Sequence, residues 1–395
     1  MSYKYEIAKL DDIAECVTDF VANGSFASLK ENVKYLNEET DNILIRLVDH
    51  NRGYDGDFIY ISDDSYNFLK KSKLFGGEII ISNVGANAGF VFKCPYLNKN
   101  MSLGPNSVML RFGESTDFYY YWFKSRYGQE SLKSIIAGSA QPKFNKTDLR
   151  KLQIPVFPKE TQVRIADILS TFDKKIELNT SINTKLNELS ECIINNMVNL
   201  SDSVIPVKDF VVNMRNGLTP RRNVERYWDN GNIPWIKTGE VNNNFIFDTE
   251  EYITYEALKE TSVSLLPINT VIMALYGSGT AGRVSVIQTE ATTNQACTAM
   301  LCNSKADSYY LFMNLKSMYK KIDSLTRGSV QQNLSKDIVG DLEIPFIKEE
   351  TLQNSPLEKI FDMISNNTKE NIILAELRDA LLLKLMSGEI KLNGR

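Results

Sequence analysis

The sequence predicts an α+β fold in which two similar globular α/β domains are separated by two long antiparallel coiled-coil helices, with an internal pseudo-twofold repeat. One observation behind this prediction is a motif that occurs twice, about 190 residues apart. That period exceeds the roughly 20–50 residues of solenoid repeats, so the repeated unit is a whole domain plus a helix. The repeated residues are Gly138, Ser139, Gln141, Lys146, Leu152, Ile154 and Pro155, then Gly328, Ser329, Gln331, Lys336, Leu342, Ile344 and Pro345.

The second observation is a pair of long segments in which apolar residues recur at spacings of three and four, as in a coiled-coil seam. Neither helix should be stable alone, because most helix stability comes from burying the apolar stripe. Asn179 and Asn371 occupy matching positions; either they fix the register or they mark a loosely packed polar stretch. The predicted pairing residues are Ile168, Phe172, Asn179, Ile182, Leu186, Leu189, Ile193, Ile360, Ile364, Asn371, Leu374, Leu381 and Leu385.

These patterns divide the chain into four segments. Residues 1–157 form the first globular domain, and 158–200 form a central spacer helix. Residues 201–347 form the second globular domain, and 348–395 form a C-terminal spacer helix, which proline at Pro356 should open and Gly388 should end.

Each globular domain mixes short strands with one helical segment. In the first domain, 43–48, 58–61 and 78–82 are predicted strands, and 118–136 is a predicted helix. The aromatic run Phe118–Phe123 is expected to lie in the core rather than to stack on bases. The two domains share the positions of their apolar residues and of the glycines in their turns, whereas their polar loop residues differ. This pattern suggests one scaffold with two binding specificities.

Composition excludes several classes of function. Hydrophobic residues make up 43%, the net charge is −4, and no apolar run reaches the roughly 18 residues of a membrane span. The five cysteines lack metal-ligand or disulfide spacing, which favours a reduced, cytoplasmic protein. The single histidine, His50, is expected in a surface loop and cannot supply a multi-histidine site. The Gly277–Gly282 segment matches a dinucleotide fingerprint by letters, but a strand-like run follows it, so we reject a nucleotide site.

Several motifs resemble the specificity (S) subunit of type I restriction–modification systems, and the resemblance covers nearly the whole chain. The globular domains then resemble the target recognition domains of that family. The first domain departs from the pattern, because its segment 21–26 lacks the Thr-Pro found after Gly217. The segments that carry the resemblance are 138–146, 152–155, 165–169, 172–176, 217–221, 233–240 and 385–390.

The resemblance implies a DNA-recognition subunit that is not itself an enzyme. Each domain would read one half of a bipartite double-stranded DNA target in the major groove. The helices would set the half-site spacing and dock two methyltransferase (M) subunits, which methylate adenine with S-adenosylmethionine. Restriction (R) subunits would add ATP- and Mg-dependent cleavage. The sequence is consistent with this expectation, because it contains neither an Asn-Pro-Pro-Tyr-like methyltransferase motif nor a Walker motif.

Candidate DNA-binding residues are cations and amides in turn-rich segments, since arginine suits guanine and asparagine suits adenine in the major groove. In the second domain they are Arg215, Arg221, Arg222, Arg226, Lys237, Asn242, Asn243, Asn244, Ser278, Arg283 and Arg327. In the first domain they are Arg46, Arg52, Asn83, Asn87, Lys124, Arg126, Lys133, Lys143 and Lys146. No catalytic or metal-binding residue is predicted. Lys143 and Lys146 belong to a segment that recurs partly in the second copy, which favours phosphate contact or structure over base readout.

Two alternatives remain open at the level of sequence. One is a specificity subunit of a related system whose nuclease and methyltransferase are fused. The other is a scaffold that does not bind DNA, with two binding modules on a coiled coil.

Overall fold

A computed structural model describes residues 5–199, 201, 203–277, 279–327, 334–390 and 392, with side chains for all of these except 325–327. It divides into two compact units, Met1–Lys175 with Leu374–Arg395, and Ile176–Ile373. Each unit therefore holds one globular domain and a part of each long helix.

The first domain contains eleven strands and seven helices among the described residues. The strands are β1 (Glu6–Lys9), β2 (Cys16–Asp19), β3 (Tyr35–Leu36), β4 (Asn42–Ile45), β5 (Ile59–Ile61), β6 (Lys73–Leu74), β7 (Ile79–Ser82), β8 (Val91–Lys93), β9 (Asn100–Leu103), β10 (Ser107–Arg111) and β11 (Gln153–Val156). The helices are α1 (Leu10–Ile13), α2 (Phe26–Asn32), α3 (Leu47–Asn51), α4 (Asp63–Phe68), α5 (Thr116–Lys124), α6 (Arg126–Ile135) and α7 (Lys146–Arg150).

The long helix α8 (Lys159–Asn199) leads into the second domain. The strands of that domain are β12 (Val204–Pro206), β13 (Asn213–Asn216), β14 (Ile233–Ile236), β15 (Phe245–Ile246), β16 (Tyr252–Ile253), β17 (Val271–Ala274), β18 (Val284–Ile287), β19 (Thr292–Thr293), β20 (Cys297–Leu301) and β21 (Glu343–Pro345). The remaining helices are α9 (Val207–Phe210), α10 (Tyr255–Glu260), α11 (Lys305–Ser317), α12 (Tyr319–Arg327), α13 (Lys336–Gly340), α14 (Glu349–Gln353) and α15 (Leu357–Ser387).

The two domains share the same strand orders, which confirms the predicted repeat at the level of topology. The central sheet runs β2-β10-β7-β8 in the first domain and β13-β20-β17-β18 in the second, where β15 is added at the edge. A second sheet contains β5-β4-β9 in one domain and β16-β14-β19 in the other. In both, the last pair, β4 with β9 and β14 with β19, is parallel.

The central sheet is buried on both faces. Along β7, Ile79 and Ile81 contribute to one apolar cluster and Ile80 to another. In β17, Val271 and Ile272 divide between two clusters in the same way. Because side chains alternate across a strand, a strand covered on both faces reads as a continuous apolar run.

The repeated Ile-Pro motif closes each domain. The Tyr119 hydroxyl donates a hydrogen bond to the Pro155 carbonyl (3.3 Å), and Tyr310 donates to the Pro345 carbonyl (2.8 Å). The strands that hold these prolines pair antiparallel with β1 and β12, near the start of each domain. Pro155 and Pro345, which are 190 positions apart, therefore make equivalent contacts in the two domains. Gly328, Ser329 and Gln331 of the repeated motif lie outside the described residues.

Three local predictions require correction. The strand predicted at 43–48 ends at Ile45, because the Asp49 carboxylate accepts hydrogen bonds from the Arg46 backbone and side chain and caps α3. His50 lies in α3 rather than in a loop; it is half-buried, and its ring stacks on Phe92 at 4.8 Å.

The helix predicted at 118–136 is two helices. Ser125 adopts an extended backbone conformation, ends α5, and accepts a hydrogen bond from the Gly128 backbone N–H to cap α6. A Cβ on Gly128 would lie 2.1 Å from the Trp122 carbonyl oxygen, so the tight junction requires glycine. The aromatic run is confirmed as core, with Phe118, Tyr121 and Phe123 at most 1% exposed.

The long helices run antiparallel where they pack against each other. In the first unit, Ile165 and Leu169 of α8 share a cluster with Leu382 and Leu385 of α15. There, Arg378 forms an ion pair with Asp173 (2.6 Å), which also accepts a hydrogen bond from Tyr121 (2.6 Å). Helix α15 begins immediately after Pro356 and ends at Ser387, before Gly388, whose φ is 73°.

In the second unit, Ile194 of α8 shares an apolar cluster with Leu357 and Phe361 of α15, and a polar contact lies further along the helices. Asn179, 1% exposed, donates hydrogen bonds to Asn371 (2.9 Å) and Glu370 (2.7 Å). One turn further along α8, Asn183 accepts a hydrogen bond from Asn367 (2.8 Å).

The predicted pairing residues differ in burial. Ile360, Ile364 and Leu385 are buried, whereas Leu189 is 48% exposed and the neighbouring Ser190 is buried instead. The others are half-buried, apart from the buried Asn179; they are Ile168, Phe172, Ile182, Leu186, Ile193, Asn371, Leu374 and Leu381.

Candidate nucleic-acid interface

Loops converge at one end of the central sheet in each domain. In the first domain these loops are 20–25, 83–90, 104–106 and 137–145, and we call this surface the first loop edge. Backbone hydrogen bonds tie them together, from Asn83 to Asn106 (3.0 Å), from Gly85 to Pro142 (2.8 Å) and from Phe144 to Asn83 (3.1 Å). The loops therefore form one continuous surface.

The corresponding surface of the second domain, the second loop edge, comprises 217–222, 275–277, 279–283 and 294–296. The Leu218 N–H donates to the Thr293 carbonyl (2.9 Å) and the Gly217 N–H donates to the Cys297 carbonyl (3.1 Å). A Cβ on Gly217 would lie 2.2 Å from the carbonyl oxygens of Thr293 and Asn294, so this approach needs glycine. The Gly-Leu-Thr-Pro-Arg motif thus holds Arg221 at this edge.

The arginines of this segment that were predicted to bind DNA differ in whether they form ion pairs. Arg221 and Arg215 are exposed, and neither has an ion-pair partner within the described part of the chain. Arg222 pairs with Glu251 and lies over the rings of Trp228 (3.7 Å) and Trp235 (4.6 Å). Arg226 pairs with Glu260 at 2.5 Å.

Lys237 also forms ion pairs with carboxylates of its own domain. Its ammonium group contacts Glu250 at 2.8 Å and Glu251 at 3.0 Å. Hydrogen bonds to these two carboxylates raise the pKa of Lys237 to about 12, and hydrogen bonding to Arg222 lowers the pKa of Glu251. The charges of Lys237 and Arg222 are therefore partly neutralised before any phosphate approaches.

The Asn242–Asn244 segment forms a turn against β18. The Asn243 side chain accepts a hydrogen bond from the Val284 N–H (3.1 Å), and the Asn244 side chain accepts from Ser285 (2.7 Å). Asn242 accepts a hydrogen bond from Arg283 (2.7 Å), and this pair lies at the second loop edge. Ser278 and the Arg327 side chain lie outside the described residues and side chains.

The structure brings together only some of the first-domain candidates. Asn83, Asn87 and Lys143 lie at the first loop edge, and Lys133 lies on the last turn of α6, which runs into it. Asn87, Lys133 and Lys143 are exposed, whereas Asn83 is half-buried and donates a hydrogen bond to the Phe144 carbonyl (3.3 Å).

The remaining first-domain candidates are held by other side chains or lie elsewhere. Arg46 pairs with Asp49 and Arg52 pairs with Asp57, both around α3. Arg126 pairs with Glu130, and Lys146 with Asp19 (2.8 Å). Lys124 is exposed and contacts the Tyr120 hydroxyl at 3.4 Å.

Sequence reasoning missed several exposed residues that follow loop 20–25 of the first loop edge. Phe26 and Tyr35 are 84% and 55% exposed, and Lys30 is exposed on α2 between them. The available signal was the alignment of 21–26 with the Gly217 motif, which places α2 directly after the first recognition loop. No aromatic or charge pattern in this stretch singles these residues out.

The described residues contain no group of three or more His, Cys, Asp or Glu side chains arranged to hold a metal ion. No helix in the described ranges is long and apolar enough to cross a membrane.

A family model for the type I restriction modification DNA specificity domain matches residues 3–188 and 204–381. The chain belongs to this family. The model matches twice, once over each globular domain, so the two domains are the target recognition domains of a type I specificity subunit.

Curated relatives agree with this family. The MjaIX specificity subunit of Methanocaldococcus jannaschii is 26% identical over 373 residues, covering 85% of this chain and 84% of the relative. The EcoR124I/EcoR124II specificity subunit of Escherichia coli is 29% identical over 163 residues, covering 40% of each chain. Among solved structures, the S subunit from M. genitalium matches with a TM-score of 0.62 and 18% identity, over 97% of this chain and 96% of that one. That match concerns the fold.

Proposed function

We propose that each domain reads one half of a bipartite DNA target in the major groove through its loop edge. The supporting observation is that two domains with one topology place different side chains at the same edge. The first edge carries Asn87 and Lys143, and the second carries Arg221 and the Arg283–Asn242 pair. Side chains that reach base edges specify sequence, and a change of side chains on one scaffold changes the sequence that is read.

The long helices set the distance between the half-sites and dock two M subunits. Leu178 of α8 and Ile372 and Ile373 of α15 support a docking role, since they are 56%, 44% and 46% exposed in the second unit. Large exposed apolar side chains mark protein interaction surfaces. Methyl transfer from S-adenosylmethionine to adenine is then the work of the M subunits, and ATP- and Mg-dependent cleavage that of R subunits. The chain itself contributes recognition and no catalytic residue.

Methylome sequencing tests this function. A host that expresses the chain with its M subunits should carry methylated adenine in a two-part motif with a fixed gap. Replacing the recognition loop 217–222 with that of a relative should change one half of the motif and leave the other half unchanged. The substitution Tyr255→Ala serves as a control, since Tyr255 is 60% exposed and does not belong to the second loop edge.

The result also separates the alternatives. A motif that requires no separate M subunit would support a system with fused nuclease and methyltransferase. An assembled complex that neither binds nor methylates DNA would refute DNA recognition and favour a scaffold with two binding modules.

A further inference from the structure

A cavity of about 490 Å³ opens at the first loop edge. Its apolar wall is formed by Phe20, Leu29 and Val33, and its mouth by Phe26 and Tyr35. Its polar wall comes from the loops that follow β7 and precede β10, with Asn83 and Asn106 among the lining residues. The volume lies in the range of small-molecule binding sites.

The two aromatic rings at the mouth are poorly buried. Phe26 is 84% exposed and Tyr35 is 55% exposed. Phe26 occupies the first position of α2, after Ser25, whose side chain caps the helix by accepting a hydrogen bond from the Ser28 N–H. Exposed aromatic rings in single-stranded nucleic-acid sites serve as stacking platforms for unpaired bases.

The polar wall contains unused hydrogen-bonding capacity. Asn83 Oδ1 is buried and has no hydrogen-bond partner among the described residues, whereas Asn83 Nδ2 donates to the Phe144 carbonyl. Asn83 Oδ1 has no exposed surface, so it does not face the open space of the cavity. The hydrogen-bonding side chain that the cavity presents is Asn106, which lines it and is exposed, and whose amide can pair with the edge of a nucleobase.

The charges around the cavity suit a nucleotide. Lys30 lines the cavity, is exposed, and has no ion-pair partner within the structure as described. Asp19 also lines the cavity, but its carboxylate is bound to the Lys146 ammonium at 2.8 Å. The negative charge is thus compensated, and Lys30 remains available for a phosphate beside the mouth.

One equivalent strand position carries side chains of different size in the two domains. Leu44 and Trp235 occupy equivalent positions, since Leu44 pairs with Ser102 on β9 and Trp235 pairs with Thr292 on β19. Leu44 belongs to the cluster that contains Phe20 and Leu29. Trp235 packs edge-on against Trp228 (5.1 Å), and Arg222 covers both rings. Phe20 and Leu29 line the cavity, so its apolar wall packs on a leucine where the second domain has a tryptophan.

We propose that this cavity receives one nucleobase extruded from the DNA stack of the first half-site, held between Phe26 and Tyr35 and hydrogen-bonded by Asn106. The proposal rests on the proposed function, since it requires the first loop edge to face DNA. A base taken out of the stack is read through its Watson–Crick edge and by stacking between aromatic side chains. The pocket therefore adds a specificity-determining contact to the first half-site.

The test uses the complex of the full chain with its M subunits, bound to DNA that carries the motif found by methylome sequencing. 2-Aminopurine is placed at each position of the first half-site in turn, and its fluorescence reports unstacking. The M subunits should unstack the adenine that they methylate, so the expected result is a fluorescence rise at a second, different position. In Phe26→Ala/Tyr35→Ala, this second signal should disappear and affinity should fall about tenfold or more, while the signal at the methylated adenine remains.

Phe75→Ala is the matched control, because Phe75 is 67% exposed in the same domain and does not line the cavity. Val21→Trp is an independent second variant that fills the mouth from an exposed position, and it should also abolish the second signal. If specific binding persists without a second unstacked position, the cavity proposal is overturned and the proposed function stands. If the assembled complex binds no specific DNA, the proposed function itself fails.

Discussion

At the scale of single residues, ion pairing distinguishes cations that are close in sequence. Arg221 and Arg226 are five positions apart, yet Arg226 is held by Glu260 while Arg221 projects from the second loop edge without a described ion-pair partner. A cation already paired with a carboxylate gains less from a phosphate, because part of its charge is neutralised. We therefore propose that DNA recognition by this segment centres on Arg221 rather than on the whole arginine cluster.

Arg221→Ala should weaken DNA binding by the assembled complex and reduce the salt slope of log K by about 1, the contribution of one phosphate-neutralising cation. If Arg221 contacts a guanine, methylation should also become less specific at one position of the second half-site. Arg221→Ala/Arg222→Ala should weaken binding further. Affinity measured from about 50 to 200 mM salt checks these expectations. Arg226→Ala is the control, and a larger loss from it than from Arg221→Ala would contradict the assignment.

His50 illustrates a residue whose environment was not visible in the sequence. It stacks on Phe92, and its Nδ1 lies 3.1 Å from the Tyr54 hydroxyl. Burial, and secondarily the positive charge of Lys124, lower the pKa of His50 below 6.5. The folded first domain thus favours neutral histidine, and the unfolded chain binds the proton more readily. Stability is fully present above about pH 6.5 and is lost as pH falls through the lower folded-state pKa.

The free energy of opening the first domain should therefore decrease as the pH falls below about 6.5. His50→Gln should make this pH dependence shallower. Native-state hydrogen exchange of the β4 and β8 amides at several pH values measures the effect. Carboxylates contribute equally to both proteins, and His50 is the only histidine, so the difference in slope reports this residue. Identical slopes would contradict the assigned environment.

At the scale of elements, the helix contact changes character along its length. In the first unit, apolar residues such as Leu169 and Leu385 pack together beside the Asp173–Arg378 pair. In the second unit, Asn179 and Asn183 form cross-helix hydrogen bonds with residues of α15. Polar partners that satisfy each other only in one alignment can fix the register at some cost in stability. The pairing of Asn179 with Asn371 favours that hypothesis over loose packing.

Asn179→Leu/Asn371→Leu should raise the free energy of unfolding while relaxing the register of the helices. In contrast, Asn179→Ala should lower it by about 1–3 kcal/mol, since it leaves buried polar groups without partners. Denaturant unfolding measures the first effect. Methylation of DNA targets with altered gaps measures the second, and the double variant should accept gaps that the parent rejects. Asn195→Leu, at an exposed position of α8, is the control. A double variant with unchanged gap preference would argue against register control.

At the scale of the whole molecule, the repeat combines two recognition domains with one pair of helices. The proposed spacing role can be tested by lengthening both helices together. The insertion sites follow from the contacts on either side, Asp173 with Arg378 and Asn179 with Asn371. Four residues are added after Lys174 of α8 and four after Leu374 of α15. Because both helices lengthen equally, the residue pairs on either side of the insertions keep their register. Each insertion adds about 6 Å of helix, at roughly 1.5 Å per residue.

The gap between methylated half-sites should then grow by about two base pairs, at roughly 3.4 Å per base pair. The half-site sequences should stay the same, because both loop edges are untouched. Methylome sequencing reads both properties at once. Substituting exposed residues near the insertion points without changing length is the control. An unchanged gap in a folded, active complex would exclude the helices as the spacer.

The sequence by itself determined the duplication, the two long helices, the aromatic core and the family. Those properties are carried by apolar periodicity and by repeated residues such as Pro155 and Pro345, whose carbonyls accept the same tyrosine hydrogen bond. Only the tertiary structure decided which polar residues are available. Like Arg221, the polar residues Arg222, Lys237 and Asn243 lie in turn-rich segments. Each is held by a residue further along the chain: Arg222 by Glu251, Lys237 by Glu250 and Asn243 by the Val284 N–H. The cavity beside Phe26 is likewise set by the tertiary structure, since its lining residues come from the separate segments 19–35, 83–84 and 105–107. Local sequence patterns predict which side chains are buried. Which polar side chains form ion pairs or hydrogen bonds, and where a cavity remains, depends on contacts between residues that are far apart in the chain.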